Sequence, residues 1–155
     1  MTKQKGQTNR YPIDTLVSLA EEFFAMGKRV KLVAVGHSME PMLKSDRDAV
    51  ILEKFNKEPL KKGEVALFRR KNGSFALHRV ISFDEKEGYT FLGDFQLTPE
   101  RGITEDMLIA KAVAYEIKGR SYTEDSLRCR FFSRFWVNTI FWRKVWLKLR
   151  RLLKK

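Results

Sequence analysis

Val65-Ala66-Leu67-Phe68-Arg69-Arg70-Lys71-Asn72-Gly73-Ser74-Phe75-Ala76-Leu77-His78-Arg79-Val80-Ile81 contains two apolar runs separated by an Asn-Gly turn. Asn-Gly accepts the positive backbone angles that tight hairpin loops require, so the runs predict two antiparallel strands. Upstream, Pro59-Leu60-Lys61-Lys62-Gly63-Glu64 reads as a turn, Ala49–Leu52 as a strand, Ser45-Asp46-Arg47-Asp48 as a turn, and Val30–Val35 as a further strand. Downstream, Asp84-Glu85-Lys86-Glu87-Gly88 turns the chain into Tyr89–Leu92. A loop is expected from Gly93 to about Glu105, followed by a last strand over Leu108–Ile117. Short strands at this spacing predict a mainly β fold, a coiled antiparallel sheet or small barrel.

An N-terminal helix is expected after Pro12. Ile13, Leu16, Val17, Ala20, Phe23 and Phe24 recur at helical spacing, and Gly27 followed by Lys28-Arg29 supplies a stop. The 155 residues suit one domain, expected over 11–126 after a flexible leader at 1–10. Cys129 is the single cysteine, which excludes an intramolecular disulfide. No cysteine–histidine cluster suggests zinc, and no cofactor or metal is expected.

The tail, 127–155, changes character. The chain carries a net charge of +12 from 31 Lys and Arg against 19 Asp and Glu. Arg128–Lys155 holds ten Lys or Arg and no acid, leaving 21 basic and 19 acidic residues in the body. The basicity is therefore local, and nucleic acid is not the expected partner. At 100° per residue, Phe131, Phe135, Trp142, Val145, Trp146, Leu149, Leu152 and Leu153 fall on one face. Arg143, Lys144, Lys148, Arg150, Arg151, Lys154 and Lys155 fall on the other, and Trp136, Val137 and Ile140 lie outside the stripe. Aromatic and leucine residues opposite a basic face predict an amphipathic helix lying on an anionic membrane surface. A helix docked on the domain or an arm binding nucleic acid are the alternatives. Residues 1–10 are polar and basic, and nowhere do about 18 apolar residues run uncharged, so neither a signal peptide nor a transmembrane helix is expected.

Chemistry is suggested by Gly36-His37-Ser38-Met39-Glu40-Pro41-Met42-Leu43. Gly36 and Pro41 place Ser38 on a bend at the end of a strand, where its hydroxyl either satisfies local backbone groups or acts as a nucleophile. A serine nucleophile needs a base. His37 adjoins Ser38, but neighbouring side chains on extended backbone point apart. His78 shares a strand face with Ala76 and Val80, and could accept the serine proton if the strands lie close. Asp94 and Glu100 are the acids available to orient the imidazole.

Gly36-His37-Ser38-Met39-Glu40-Pro41, Lys62-Gly63-Glu64-Val65-Ala66-Leu67-Phe68, Leu77-His78-Arg79-Val80-Ile81 and Leu92-Gly93-Asp94 resemble, in order and spacing, the boxes of the type I signal peptidases. These share their fold with the LexA-type self-cleaving repressors. The resemblance spans about residues 30–117 and implies a coiled, mostly β serine endopeptidase. Histidine at position 78, where most bacterial members have lysine, resembles the Ser-His branch of the endoplasmic-reticulum and archaeal enzymes. It implies Ser38 as nucleophile and His78 as general base, with Asp94 or Glu100 as the supporting acid. Glu100-Arg101-Gly102 stands where that branch usually has Asp-Arg-Gly. Lys71 and Lys111 occupy no motif position and remain as alternative bases.

The chain also departs from the pattern. Gly36 replaces the hydroxyl residue often found two before the nucleophile, which implies an oxyanion held mainly by backbone N–H groups, that of Ser38 included. The usual N-terminal anchor has no counterpart, and the basic tail is expected to substitute for it. Residues 1–35 hold one helix and a strand, not the repressors' DNA-binding domain, so repressor autocleavage is not expected. The implied activity is cleavage of a signal or leader sequence, laid as an extended strand against a sheet edge near Ser38. Small side chains beside the scissile bond follow from the resemblance. The expected location is peripheral, on the cytoplasmic membrane face. The alternatives are a leader peptidase maturing a small peptide there, or a non-catalytic membrane-surface binding module.

Overall fold

A computed structural model of the chain describes residues 12–139 together with 142, 143, 145 and 149. The expected leader, and Ile140, Lys144, Trp146, Lys148 and 150–155 of the tail, lie outside the described residues. Helix α1 runs over Ile13–Ala25, entered through Pro12. Val17, Ala20 and Phe24 fall on its buried face. Phe23, expected on that face, is half exposed and faces the Lys28 ammonium. Gly27, at φ +69°, closes the helix as the periodicity predicts.

Eight strands follow: β1 Val30–Val33, β2 Ala49–Lys54, β3 Val65–Arg69, β4 Phe75–Asp84, β5 Gly88–Leu92, β6 Glu100–Ile103, β7 Leu108–Ile117 and β8 Arg120–Thr123. They form one open antiparallel sheet in the order β1-β2-β7-β3-β4-β5-β6, with β8 paired to β7. The sheet does not close into a barrel. Helix α2, Leu127–Arg134, and a 3-10 turn over Trp136–Asn138 complete the described chain.

Two of these strands escape a reading of hydrophobic pattern. The four residues of β6 contain one apolar side chain, Ile103, and lie within the expected loop. They pair because Tyr89 and Phe91 on β5 offer an unpartnered edge, opposite Ile103 and Glu100. The polar strand β8 forms because Lys118 and Gly119, at φ +52° and +73°, make a tight hairpin after β7.

Both faces of the central sheet are covered. On one, Val65 and Leu67 join α1, Met39, Met42, Leu43, Cys129 and Phe132. On the other, Ala66, Phe68, Ala76 and Val80 pack with Tyr89, Phe91, Ile103 and Leu108. Burying a large apolar side chain such as Phe68 or Phe91 contributes on the order of 1.5–3 kcal/mol. The β4 alternation expected from sequence holds, with His78 on the second face and Arg79 on the first.

Candidate active site

The Ser38 turn is held from below by its own methionines. Met39, Met42 and Leu43 are buried in the first core, while Ser38 is half-buried. Gly36 takes φ +82°, where a side chain would be strained, and the Glu40–Pro41 bond is cis. Leu43 N–H donates to the Met39 carbonyl at 2.9 Å, and Phe95 N–H to the Ser38 carbonyl at 2.8 Å. Among the described residues, the N–H groups of Ser38 and Met39 donate to no protein acceptor. They are the backbone donors available to an oxyanion beside Ser38. His37 points outward, its Nδ1 2.9 Å from Glu40 Oε1.

His78 sits mid-strand opposite Ala66, 2% exposed, with its ring edge-on to Phe68 at 6.1 Å between centroids. Its Nδ1 lies 2.9 Å from Glu100 Oε1. The ring nitrogen nevertheless lacks a well-aligned hydrogen bond, so the two groups are close but unaligned, and the pair becomes ionic only when the ring is protonated. Burial pushes the imidazole below its ordinary 6.5; Glu100 pulls it up and Arg70 pushes it down, and burial prevails. With Nδ1 against Glu100, Nε2 is the nitrogen left to meet a hydroxyl.

Glu100 is itself gripped. Arg70 Nε donates to Oε2 at 2.6 Å and Arg70 Nη2 to Oε1 at 2.7 Å, a bidentate fork. The fork holds the Glu100 carboxyl below the usual range. The other acid has a different partner. Asp94, fully buried, accepts from Arg79 Nε at 2.8 Å and Nη2 at 2.7 Å. Arg79 also donates to the Gly63 carbonyl and reaches Met42 Sδ. Of the two acids read from sequence, Glu100 meets His78, and Asp94 braces Arg79 on the opposite sheet face.

Gly93 is the point at which the serine turn meets the end of β5. The β4–β5 ladder ends with Arg79 opposite Leu92, one residue beyond His78 on β4 and one before Gly93. A Cβ on Gly93 would lie 2.6 Å from the Ser38 carbonyl oxygen. The missing side chain is thus what lets the serine turn pack against the chain just after β5. Among the described residues no hydrogen bond joins Ser38 Oγ to His78.

The alternative bases lie elsewhere. Lys111 Nζ donates to Glu64 Oε1 at 2.9 Å. Burial pushes its ammonium down, but Glu64 and the nearby Glu124 and Glu58 charges outweigh this and raise it, so it stays charged. Lys71 is exposed in the hairpin turn. Sequence reasoning missed both arginines. Arg79 adjoins His78 but faces away from it, and Arg70 lies in a basic run where nothing distinguishes it from Arg69 or Lys71.

The beginning of the tail docks on this region. Cys129, Phe132 and Val137 are buried, and Gly63 packs so tightly on α2 that a Cβ would lie 2.5 Å from the Ser133 carbonyl oxygen. Trp136 Nε1 donates to the Asp94 carbonyl at 2.9 Å. Arg143, expected on the solvated basic face, is instead 2% exposed. It donates to the Trp136 carbonyl at 2.7 Å and to the Gly93 carbonyl at 3.3 Å. Trp136 and Val137, which fell outside the amphipathic stripe, therefore belong to a second, inward face. The stripe itself points out: Phe131, Phe135, Trp142 and Leu149 are exposed.

No protein-family model matches this chain, and no curated protein matches it. No helix among the described residues is long and apolar enough to cross a membrane.

Proposed function

We propose that this chain is a serine endopeptidase of the signal-peptidase-like kind that cleaves signal or leader sequences at a membrane surface. The observation that carries the reading is the buried His78 with its Nδ1 2.9 Å from Glu100 Oε1, on the strand next to β5, whose end the Ser38 turn meets at Gly93. Ser38 Oγ attacks the peptide carbonyl as His78 Nε2 takes its proton. His78 then protonates the leaving amine, and an acyl-enzyme remains on Ser38. Water, deprotonated by His78, attacks the ester, and His78 returns that proton to Ser38 Oγ as the acyl product leaves. The Ser38 and Met39 N–H groups receive the oxyanion in both halves. Glu100 supports the imidazolium.

Strand β1 pairs only with β2 among the described strands and leads directly into the serine turn. Its free edge suits an extended substrate added as a strand. The exposed Phe131, Phe135, Trp142 and Leu149, within a segment of ten basic and no acidic residues, suit an anionic membrane. An open groove of about 390 Å³ beneath α1, lined in part by Phe24, Phe55 and Arg69, shares no residue with this site.

The burial of His78 and its lack of a hydrogen bond to Ser38 favour a second reading, a membrane-surface binding module without catalysis. Incubating wild type and Ser38→Ala with signal- and leader-type peptides and anionic vesicles separates the two. Cleavage by wild type alone supports the peptidase, and equal cleavage by both removes Ser38 as nucleophile. Vesicle-bound protein that cleaves no member of a randomised peptide library favours the module.

A further inference from the structure

Arg70 stands at the end of β3, in the hairpin that leads to β4, whereas Glu100 is on the edge strand β6, beyond β4 and β5 in the sheet. All three guanidinium nitrogens are engaged. Nε and Nη2 grip both oxygens of Glu100, and Nη1 reaches Ser74 Oγ and the Phe75 carbonyl, each at 3.3 Å. The hairpin fixes Arg70, and Arg70 reaches across to the edge of the sheet. Strand β6 is short and is held on one side only, by pairs at Tyr89–Ile103 and Phe91–Glu100. A carboxylate on such an edge has solvent as an alternative partner.

We propose that Arg70 is a positioning residue whose fork pins Glu100 Oε1 against His78 Nδ1, fixing the ring so that Nε2 is presented to Ser38. Oε1 is shared, 2.7 Å from Arg70 Nη2 and 2.9 Å from His78 Nδ1. A lysine, a single-point donor, does not reproduce this grip on two oxygens. The role assigned to Nε2 rests on the peptidase reading; the mechanical coupling of Arg70, Glu100 and His78 does not.

The charged groups around His78 are Glu100, Arg70 and, more distantly, Asp94. Removing Glu100 therefore lowers the His78 pKa. If Arg70 merely adds a positive charge, Glu100→Gln has an equal or larger effect without Arg70, because the carboxylate is then less neutralised. If Arg70 positions Glu100, the effect collapses without it, because the carboxylate is already free to leave.

The chain has two histidines, and exposed His37 serves as the internal reference. NMR titration of the ring C–H signals is measured in wild type, Glu100→Gln, Arg70→Met and the double variant. The expected result is a clear downward displacement from Glu100→Gln in wild type and little or none in Arg70→Met. An equal or larger displacement in Arg70→Met overturns the proposal. If Arg70→Met does not fold, Arg70→Lys replaces it; the displacement is expected to be smaller than in wild type, and an undiminished one overturns the proposal. These signals are read without substrate. Failure of Ser38→Ala to abolish cleavage would defeat the catalytic reading while leaving this coupling intact.

Discussion

At His78, two opposing forces meet. Burial favours the neutral ring and Glu100 favours the charged one, and the net shift is below 6.5. The imidazole is therefore neutral near pH 7, as a general base requires. The same shift bears on stability. Below 6.5 the unfolded histidine takes a proton that the folded one resists, so stability is full above 6.5 and is lost as pH falls through the lowered value. Urea denaturation from about pH 7 to about pH 5 is expected to show a decline that His78→Asn flattens. Gly93 gives a second test at this scale. A Cβ there would strike the Ser38 carbonyl oxygen, which belongs to backbone and has little room to yield. Gly93→Ala is expected to cost about 1–3 kcal/mol of stability by overpacking, and to reduce peptide cleavage further than that loss of folded protein explains. The His78–Glu100 contact is legible in the sequence only as one of two options, because Asp94 and Glu100 both follow the histidine strand in ordered motifs. Arg70 is not, because its role depends on a contact between residues 30 positions apart.

The turn between β1 and β2, which carries Ser38, is anchored at the end away from the serine. Asp48 is wholly buried at its far end. It accepts the N–H groups of Lys44 and Lys118 at 2.8 and 3.0 Å, and the Arg47 guanidinium at 2.7 Å. Burial alone would raise its carboxyl, but these donors outweigh burial and hold it at about 2. Because the folded value lies below the ordinary 3.8, the carboxylate stabilises the fold above 3.8, and that contribution disappears as pH falls toward 2. Asp48→Ala leaves buried donors without an acceptor and is expected to cost about 1–3 kcal/mol in chemical denaturation at neutral pH. It is also expected to flatten the acid limb of the stability profile. The long apolar strands here, β2, β3, β4 and β7, are visible from sequence because both or alternate faces are buried. Strands β6 and β8 are not, since edge pairing is satisfied by backbone groups that any residue possesses.

Across the molecule, the buried Arg79–Asp94 pair ties the sheet to the turn beneath the serine and, through Gly63, to α2. Asp94→Asn leaves a buried guanidinium without its counter-charge and is expected to destabilise by about 3–5 kcal/mol. Glu100→Gln, at a more exposed site, is expected to impair cleavage with a much smaller stability loss. Comparing denaturation midpoints with cleavage rates for the two variants tells bracing from catalytic support. The outward stripe calls for substitutions that spare the fold. Val145→Ser with Leu149→Ser, both exposed, is expected to weaken co-sedimentation with anionic vesicles severalfold and to leave the denaturation midpoint nearly unchanged. Binding by wild type should fall with added salt yet persist in part, since buried apolar groups are not screened. The sequence displays the outward stripe through its periodicity. The inward face, with Trp136, Val137 and Arg143, is hidden because its order comes from the surface it meets.

That inward face makes the C-terminal segment a keystone. Trp136 holds the carbonyl of Asp94, and the next residue, Phe95, holds the carbonyl of Ser38, so the serine lies two hydrogen bonds from the tail. A change to the tail, whether a bulky fusion or a cut after Arg134, is expected to reach the Ser38 turn. Deleting the segment would remove the hydrogen bond to the Asp94 carbonyl and loosen the Ser38 turn along with the tail.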